Sequence, residues 1–133
     1  AEKAGFLKKS KCTTSEMSLL SDGNPDRSDR FHIYGDDARK IREMIINEPA
    51  NGERLDPRLP YTEAEIRWIC RNEMAVTIED VLARRTRALL LDARASLEIA
   101  PKVAALMAEE QGHDAKWQSE QVESYSLIVK NYI

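Results

Sequence analysis

Two helix-start signals lie close together in the middle of this 133-residue sequence, and they constrain its fold more than any other feature. Thr62 is followed by Glu65 in the capping-box pattern, in which each side chain accepts a hydrogen bond from the other residue's backbone amide. Thr77 repeats this pattern with Asp80 as the acidic partner, which also suits the positive end of the helix dipole. We therefore predict that Thr62, Glu65, Thr77 and Asp80 cap two consecutive helices.

The second and third helices of the predicted fold begin at these two signals. The second should run from about Thr62 to Met74, and the third from Thr77 through Leu91 or beyond. Pro101 should then either kink the third helix or lie in the first turn of a fourth, because proline lacks the amide that a helix interior needs.

A first helix is expected upstream of this pair. Asp36 and Asp37 can cap it, its apolar residues recur at helical spacing, and Pro49 should end it. The segment from 50 to 60 contains the Asn51-Gly52 turn and two prolines, a composition typical of a linker.

The carboxy-terminal part of the sequence carries the last helix signals. Gly112 can close the fourth helix in a left-handed conformation, and Asp114 can cap the fifth. The apolar face expected on the fifth helix consists of Trp117, Val122, Tyr125, Val129 and Tyr132. No segment after Gly35 alternates as a strand would, so the predicted fold is all-α, a small bundle of about five helices.

Residues 1–35 are the least organised part of the sequence. They show no apolar period, and the segment SDGNPDRSD is typical of a loop. Because the sequence begins with Ala1 instead of Met, we expect a piece of a longer protein. We predict a loosely ordered tail or linker at 1–35, poorly packed before about Phe31, and a helical domain at 36–133.

Composition and charge argue against several classes of function. The 42% hydrophobic content suits one domain with a core, and the formal net charge of -3 offers no general attraction to nucleic acid or to an anionic membrane. The longest apolar run, residues 103–108, is far shorter than the roughly 20 residues that a membrane-spanning helix needs. We therefore expect neither nucleic-acid binding nor a membrane span.

The motifs of catalysis and of metal or cofactor binding do not occur in the sequence. It contains no GxSxG, HExxH, GxGxxG or Walker pattern. His32 and His113 do not lie at metal-ligand spacing from each other or from Cys12 and Cys70. We predict that the chain contributes no catalytic, cofactor-binding or metal-binding residue, and that its role is structural or in interaction.

Three arginines, Arg84, Arg85 and Arg87, stand beside a run of leucines in the third helix. Arg84 lies one turn after Asp80, which predicts an ordinary surface pair. Helical geometry places Arg85 at the edge of the core, where a guanidinium needs a well-placed partner. We predict a structural ion pair between Arg85 and Glu73, with Arg84 and Arg87 facing solvent or the missing part of the longer protein.

Phosphate or nucleic-acid binding is the alternative interpretation of these arginines. Two helices joined by a tight turn, the second rich in arginine, superficially resemble a helix-turn-helix. The stretch from Glu63 to Glu98 nevertheless holds six arginines against seven acidic residues, so this face would repel a phosphate backbone as much as attract it.

Three segments of the sequence resemble a known family in their order and spacing: HIYGDDARKI, LPYTEAEIRW and NEMAVTIEDVLARRTRALLLDARASLEIAPKVAALMAEEQG. The family is the carboxy-terminal helical domain of FAD-dependent glycerol-3-phosphate dehydrogenases and glycerophosphate oxidases. The resemblance covers about residues 31–125 and matches residues 73–75 and 79–87 to the family's helix pair. Asn72 stands where many members have histidine.

This resemblance implies a parent enzyme whose amino-terminal domain binds FAD and oxidises glycerol 3-phosphate to dihydroxyacetone phosphate, with a quinone or oxygen as the electron acceptor. The present chain would then be a structural cap domain at 36–133 that binds no FAD, is inactive alone and has the FAD domain as its partner. The resemblance also implies a cytoplasmic protein, or one held at the inner face of the cell membrane. An independent helical module that binds protein or nucleic acid is the alternative hypothesis.

Overall fold

A computed structural model describes Thr13 and residues 28–133 of the chain. Within these residues the regular structure is helical, and only an isolated bridge between Arg54 and Thr62 has strand character. The all-α prediction is therefore confirmed. The chain divides into two units, Ala1–Ala38 and Arg39–Ile133. The tail expected before about Phe31 lies almost wholly outside the described residues.

The described helices follow one another in this order: a 3-10 helix at His32–Asp37, α1 at Ala38–Asn47, a 3-10 helix at Pro49–Gly52, α2 at Glu63–Asn72, a π-helix at Asp80–Arg85, α3 at Ala88–Leu91, α4 at Ala93–Gln111 and α5 at Ala115–Val129.

The described end of the first unit rests on local contacts. The Phe31 amide donates to Oδ1 of Asp29 at 3.0 Å, and the guanidinium carbon of Arg30 lies 4.5 Å from the centre of the Phe31 ring. Gly35 interrupts the 3-10 helix with φ of 54° and ψ of -129°, a conformation that side chains with a Cβ rarely adopt. The sharp turn before α1 therefore depends on this glycine.

The core of the second unit is built around α4, which packs against α2, α3 and α5. Large side chains with almost no exposed surface fill it: Ile66, Ile69, Ile78, Val81, Leu82, Val103, Met107, Tyr125 and Val129. Burying one such aliphatic side chain contributes about 1.5–3 kcal/mol to stability. The fold therefore depends mainly on the apolar surface that α4 shares with its neighbours.

The predicted third helix is not continuous, and the expectation of a helix from Thr77 through Leu91 is wrong. The Thr86 amide donates to the Val81 carbonyl at 2.9 Å, a bond to the fifth preceding residue that defines a π-helical turn. Arg87 then adopts a left-handed conformation, with φ of 58°, and α3 starts anew. After this break Leu89 is buried, whereas Leu90 is 65% exposed.

The observed bounds of α2 and α4 agree with the predicted bounds only in part. α2 stops at Asn72, so Met74 lies outside it. Asp92 starts α4 by accepting a hydrogen bond from the Ala95 amide at 2.9 Å, and Pro101 lies inside that helix instead of starting it. Gly112 ends α4 in the left-handed conformation, with φ of 74°, as predicted.

The last helix begins where the sequence indicates. Oδ1 of Asp114 accepts from the Trp117 amide at 2.8 Å, so the predicted cap is confirmed. Tyr125 and Val129 are buried along the apolar face of α5. Tyr132 follows the end of the helix and is exposed, so its assignment to that face is wrong.

Candidate functional site

Residues 73–79 connect α2 to the π-helix, and the part at residues 73–78 is called the 73–78 loop. Four of the residues singled out from the sequence lie in this loop or in the π-helix that follows it: Glu73, Thr77, Asp80 and Arg85. The other two, Thr62 and Glu65, lie at the opposite end of α2. The junction of α2 with the π-helix is therefore the candidate site.

Arg85 meets Glu73 through the main chain. Its Nη2 donates to the backbone carbonyl oxygen of Glu73 at 2.7 Å. The carboxylate beside the guanidinium is that of Asp80, with Oδ1 3.9 Å from Nη1 of Arg85. Glu73 follows the last residue of α2, and its carbonyl is one of those that a helix end leaves without an amide partner. A cationic donor suits such an end because it also faces the negative pole of the helix dipole.

Thr77 and Asp80 form a reciprocal cap. The Thr77 amide donates to Oδ2 of Asp80 at 3.0 Å, and the Asp80 amide donates to Oγ1 of Thr77 at 3.1 Å. The Val76 amide also donates to Oδ2 of Asp80, at 3.1 Å. Burial raises the pKa of the Asp80 carboxyl, but the hydrogen bonds from Val76 and Thr77 outweigh it and hold that pKa below its ordinary value. Asp80 is therefore a carboxylate at neutral pH.

Thr62 and Glu65 form a second cap, and both residues are almost fully buried. Oε2 of Glu65 accepts from the Thr62 amide at 2.9 Å and from the Thr62 hydroxyl at 2.8 Å. A buried carboxylate is costly unless hydrogen bonds satisfy it, and here the start of α2 supplies them.

The two remaining arginines of the cluster lie on the surface. Arg84 is 60% exposed and pairs with Glu79, at 2.9 Å, and with Asp80, at 3.2 Å. Arg87 is exposed at the left-handed turn before α3. The surface pair expected for Arg84 and Asp80 is present, with Glu79 as an additional partner.

Two glutamines that the sequence did not single out also hold the 73–78 loop. Nε2 of Gln111, at the end of α4, donates to the Ala75 carbonyl at 2.6 Å. Oε1 of Gln121, in α5, accepts from the Ile78 amide at 3.2 Å. Neither glutamine is close to the loop in sequence, so no local pattern could have indicated these contacts.

An ion-pair network that sequence reasoning also missed joins α2 to α4. Arg67 contacts Glu110 and Glu109, each at 2.8 Å, and Arg71 contacts Glu110 through two hydrogen bonds of 2.5 and 2.7 Å. The hydrogen bond from Arg71 is the main cause that lowers the pKa of Glu110, and Arg67 adds to it against the effect of burial. The spacing of Arg67 and Arg71, one helical turn apart, was the available signal.

The side chains described above hold the helix ends and the 73–78 loop in place. Within the part of the chain that the structure describes, no three His, Cys, Asp or Glu side chains are grouped so that they could hold a metal ion. Burial raises the pKa of the Cys70 thiol to about 11, which leaves little thiolate at neutral pH. No described helix combines the length and apolar character that crossing a membrane requires.

The family model and the curated relatives that match this chain indicate the same family. The family model for the C-terminal domain of alpha-glycerophosphate oxidase matches residues 24–119. Among curated proteins, the probable mitochondrial glycerol-3-phosphate dehydrogenase of Caenorhabditis elegans is 38% identical over 102 residues, which is 74% of this chain and 14% of that protein. The corresponding protein of Dictyostelium discoideum is 33% identical over 102 residues, covering 77% of this chain and 15% of its own length.

The human relative, mitochondrial glycerol-3-phosphate dehydrogenase, is 35% identical over 95 residues, which is 68% of this chain and 13% of that protein. The chain thus spans about one seventh of the length of the curated relatives it matches. No solved structure matches it significantly.

The names of these relatives correct the expected location. They are mitochondrial enzymes, which contradicts the cytoplasm, or the inner face of the cell membrane, that the resemblance implied. The packing of a helical domain does not depend on its compartment, so the residues that carry the resemblance hold no information about location.

Proposed function

We propose a function for this chain from one premise, which is that it belongs to the family of the C-terminal domain of alpha-glycerophosphate oxidase. In this proposal, residues 36–133 form the structural cap domain of an FAD-dependent glycerol-3-phosphate dehydrogenase. The observation that carries it is the family match over 24–119, together with relatives that are named as glycerol-3-phosphate dehydrogenases and are about seven times longer than the matched segment.

The proposed parent divides its work between two parts. An amino-terminal domain would bind FAD and glycerol 3-phosphate, and FAD would supply the redox chemistry that oxidises the substrate's secondary alcohol to the ketone of dihydroxyacetone phosphate by removal of two electrons and two protons. A quinone or oxygen would be the final electron acceptor. The names of the relatives support a mitochondrial location for this parent.

The use of charged groups in the described domain supports a structural role. Asp80 and Glu65 accept hydrogen bonds at helix starts, Arg85 donates to a helix end, and Arg67 and Glu110 join two helices. Each of these groups stabilises the fold by an interaction inside the domain. The arrangement is therefore suited to hold a fixed shape against a partner domain.

The test compares this chain with the proposed parent, the longer polypeptide that we expect its gene to encode. Both are purified, and flavin absorbance and dye reduction with glycerol 3-phosphate are measured. We expect the 133-residue chain to be colourless and inactive, and the longer polypeptide to be yellow and active. Flavin bound by the 133-residue chain alone, or a longer polypeptide without glycerol 3-phosphate oxidation, would contradict the proposal.

A further inference from the structure

The backbone of the 73–78 loop is held from several directions. Carbonyl oxygens accept from the side chains of Arg85 and Gln111, and amides donate to the side chains of Asp80 and Gln121. These four side chains come from the π-helix, α4 and α5, so the loop is fixed by three different helices. A loop held in this way has few alternative conformations to lose when it meets a partner.

The side chains of the loop alternate between the core and the surface. Ala75 and Ile78 are almost fully buried, whereas Met74 is 86% exposed and Val76 is 63% exposed. Met74 also has φ of 52°, a left-handed conformation that residues with a Cβ seldom adopt except where a helix ends, and Met74 lies directly after the end of α2. The domain thus keeps two apolar side chains exposed to water on a fixed support.

The surroundings of these two side chains offer little uncompensated charge. Arg84 is paired with Glu79 and Asp80, and the Arg85 guanidinium lies 3.9 Å from the Asp80 carboxylate. A partner surface that fits Met74 and Val76 is therefore an apolar depression, without a strong requirement for charge.

We propose that Met74 and Val76 form a contact surface that packs on the catalytic part of the same polypeptide, an inference that rests on the proposed function. The small size of this surface favours a partner on the same polypeptide over a separate protein. Two side chains bury far less than the roughly 1,200 Å² that a stable complex between separate proteins needs. A partner on the same polypeptide has an effective concentration in the millimolar range, so a small surface is sufficient. In the relatives, most of the polypeptide lies outside the matched segment. The corresponding part of the proposed parent would be such a partner.

Site-specific photo-crosslinking in the longer polypeptide tests this occupant. A photoreactive residue replaces Met74, and in a control variant it replaces Leu127, an exposed apolar residue of α5. We expect intramolecular crosslinks from position 74 to residues outside this chain, with a yield about tenfold above that of position 127, because a tethered contact is populated most of the time. Crosslinks that join two copies, or equal yields at the two positions, overturn the proposal.

A second variant separates docking from folding. Asparagine is tolerated in the left-handed conformation far better than methionine, so Met74→Asn should leave the Tm of the 133-residue chain unchanged or raise it. In the longer polypeptide the same change should lower the Tm of this domain, because a polar side chain then replaces an apolar contact. A change of the same sign in both proteins contradicts docking. Flavin content and activity of the unsubstituted polypeptide report separately on the proposed function.

Discussion

The guanidinium Nη2 of Arg85 lies 2.7 Å from the backbone carbonyl oxygen of Glu73, directly after the last turn of α2. The bond joins the π-helix to the end of α2 through an acceptor that every residue type carries. A side-chain replacement at position 73 therefore leaves this acceptor in place, whereas a replacement at position 85 removes the donor.

This difference gives the first prediction. Arg85→Ala should lower the free energy of unfolding by about 1.5–3 kcal/mol, the usual contribution of a hydrogen bond with a charged partner. Glu73→Ala should cost less, because the carbonyl remains. Arg84→Ala is the matched control on the same helix, and its loss should be small because that side chain is largely exposed. Urea denaturation of the three variants measures the effects, and equal losses for Arg85→Ala and Glu73→Ala would indicate that the carboxylate is the partner.

The second prediction concerns acid stability and Glu110. Its pKa lies below the ordinary value of 4.5 in the folded state, mainly because Arg71 donates to it. The stabilisation is therefore fully present above about pH 4.5 and is lost as the pH falls through the lowered folded pKa. Glu110→Gln should reduce Tm at pH 7 and weaken its fall in acid. Glu109→Gln, at a more exposed position, serves as the control, and parallel pH profiles for wild type and Glu110→Gln would contradict the prediction.

The third prediction uses the glycine that ends α4. Gly112 has φ of 74°, and a Cβ built there meets no atom within 4 Å, so Gly112→Ala adds backbone strain without a clash. We expect a loss of about 1–2 kcal/mol in the free energy of unfolding, and a smaller loss for Gly112→Asn. Gly52→Ala differs because its Cβ would lie 2.9 Å from Cγ2 of Ile45. Equal stabilities for Gly112→Ala and Gly112→Asn in thermal melts would count against this account.

The fourth prediction concerns the reactivity of Cys70. Burial raises the pKa of its thiol to about 11 from a usual value of 9.0, so the folded chain contains about 100-fold less thiolate at pH 8 than an exposed cysteine does. Iodoacetamide should modify Cys70 slowly in the folded chain and quickly in urea. Mass spectrometry of the peptides distinguishes Cys70 from Cys12, and rapid modification of Cys70 under native conditions would show that it is accessible.

The sequence was sufficient where an interaction is local. Thr62 with Glu65, and Thr77 with Asp80, are separated by three residues, so the geometry of one helical turn determines whether they meet. The end of α4 at Gly112 is equally local, because glycine alone adopts the left-handed conformation without strain. These features could be located before any tertiary contact was known.

The break after the π-helix could not be located in this way, because a distant residue stabilises it. The buried hydroxyl of Tyr61 donates to the Thr86 carbonyl, which a continuing helix would use for the amide of Leu90. The Leu90 amide instead donates to the Arg87 carbonyl, at 2.9 Å. The acceptor of Arg85 could not be predicted for a related reason. Residue spacing indicates that Arg85 and Glu73 lie close together, but it does not indicate whether the guanidinium binds the Glu73 carboxylate or its backbone carbonyl.

The contacts that hold the 73–78 loop also have a consequence for the order of folding. Gln111 is 36 residues from Ala75 in sequence, and Gln121 is 43 residues from Ile78. Contacts between such distant residues require large loops to close, and they form late compared with the turns of single helices. We therefore expect the loop to acquire its final conformation only after α4 has packed on α2 and α5 has packed on α4. If Met74 and Val76 dock on a catalytic part, a chain that is still partly folded cannot present them, and assembly of the two parts waits for the completed domain.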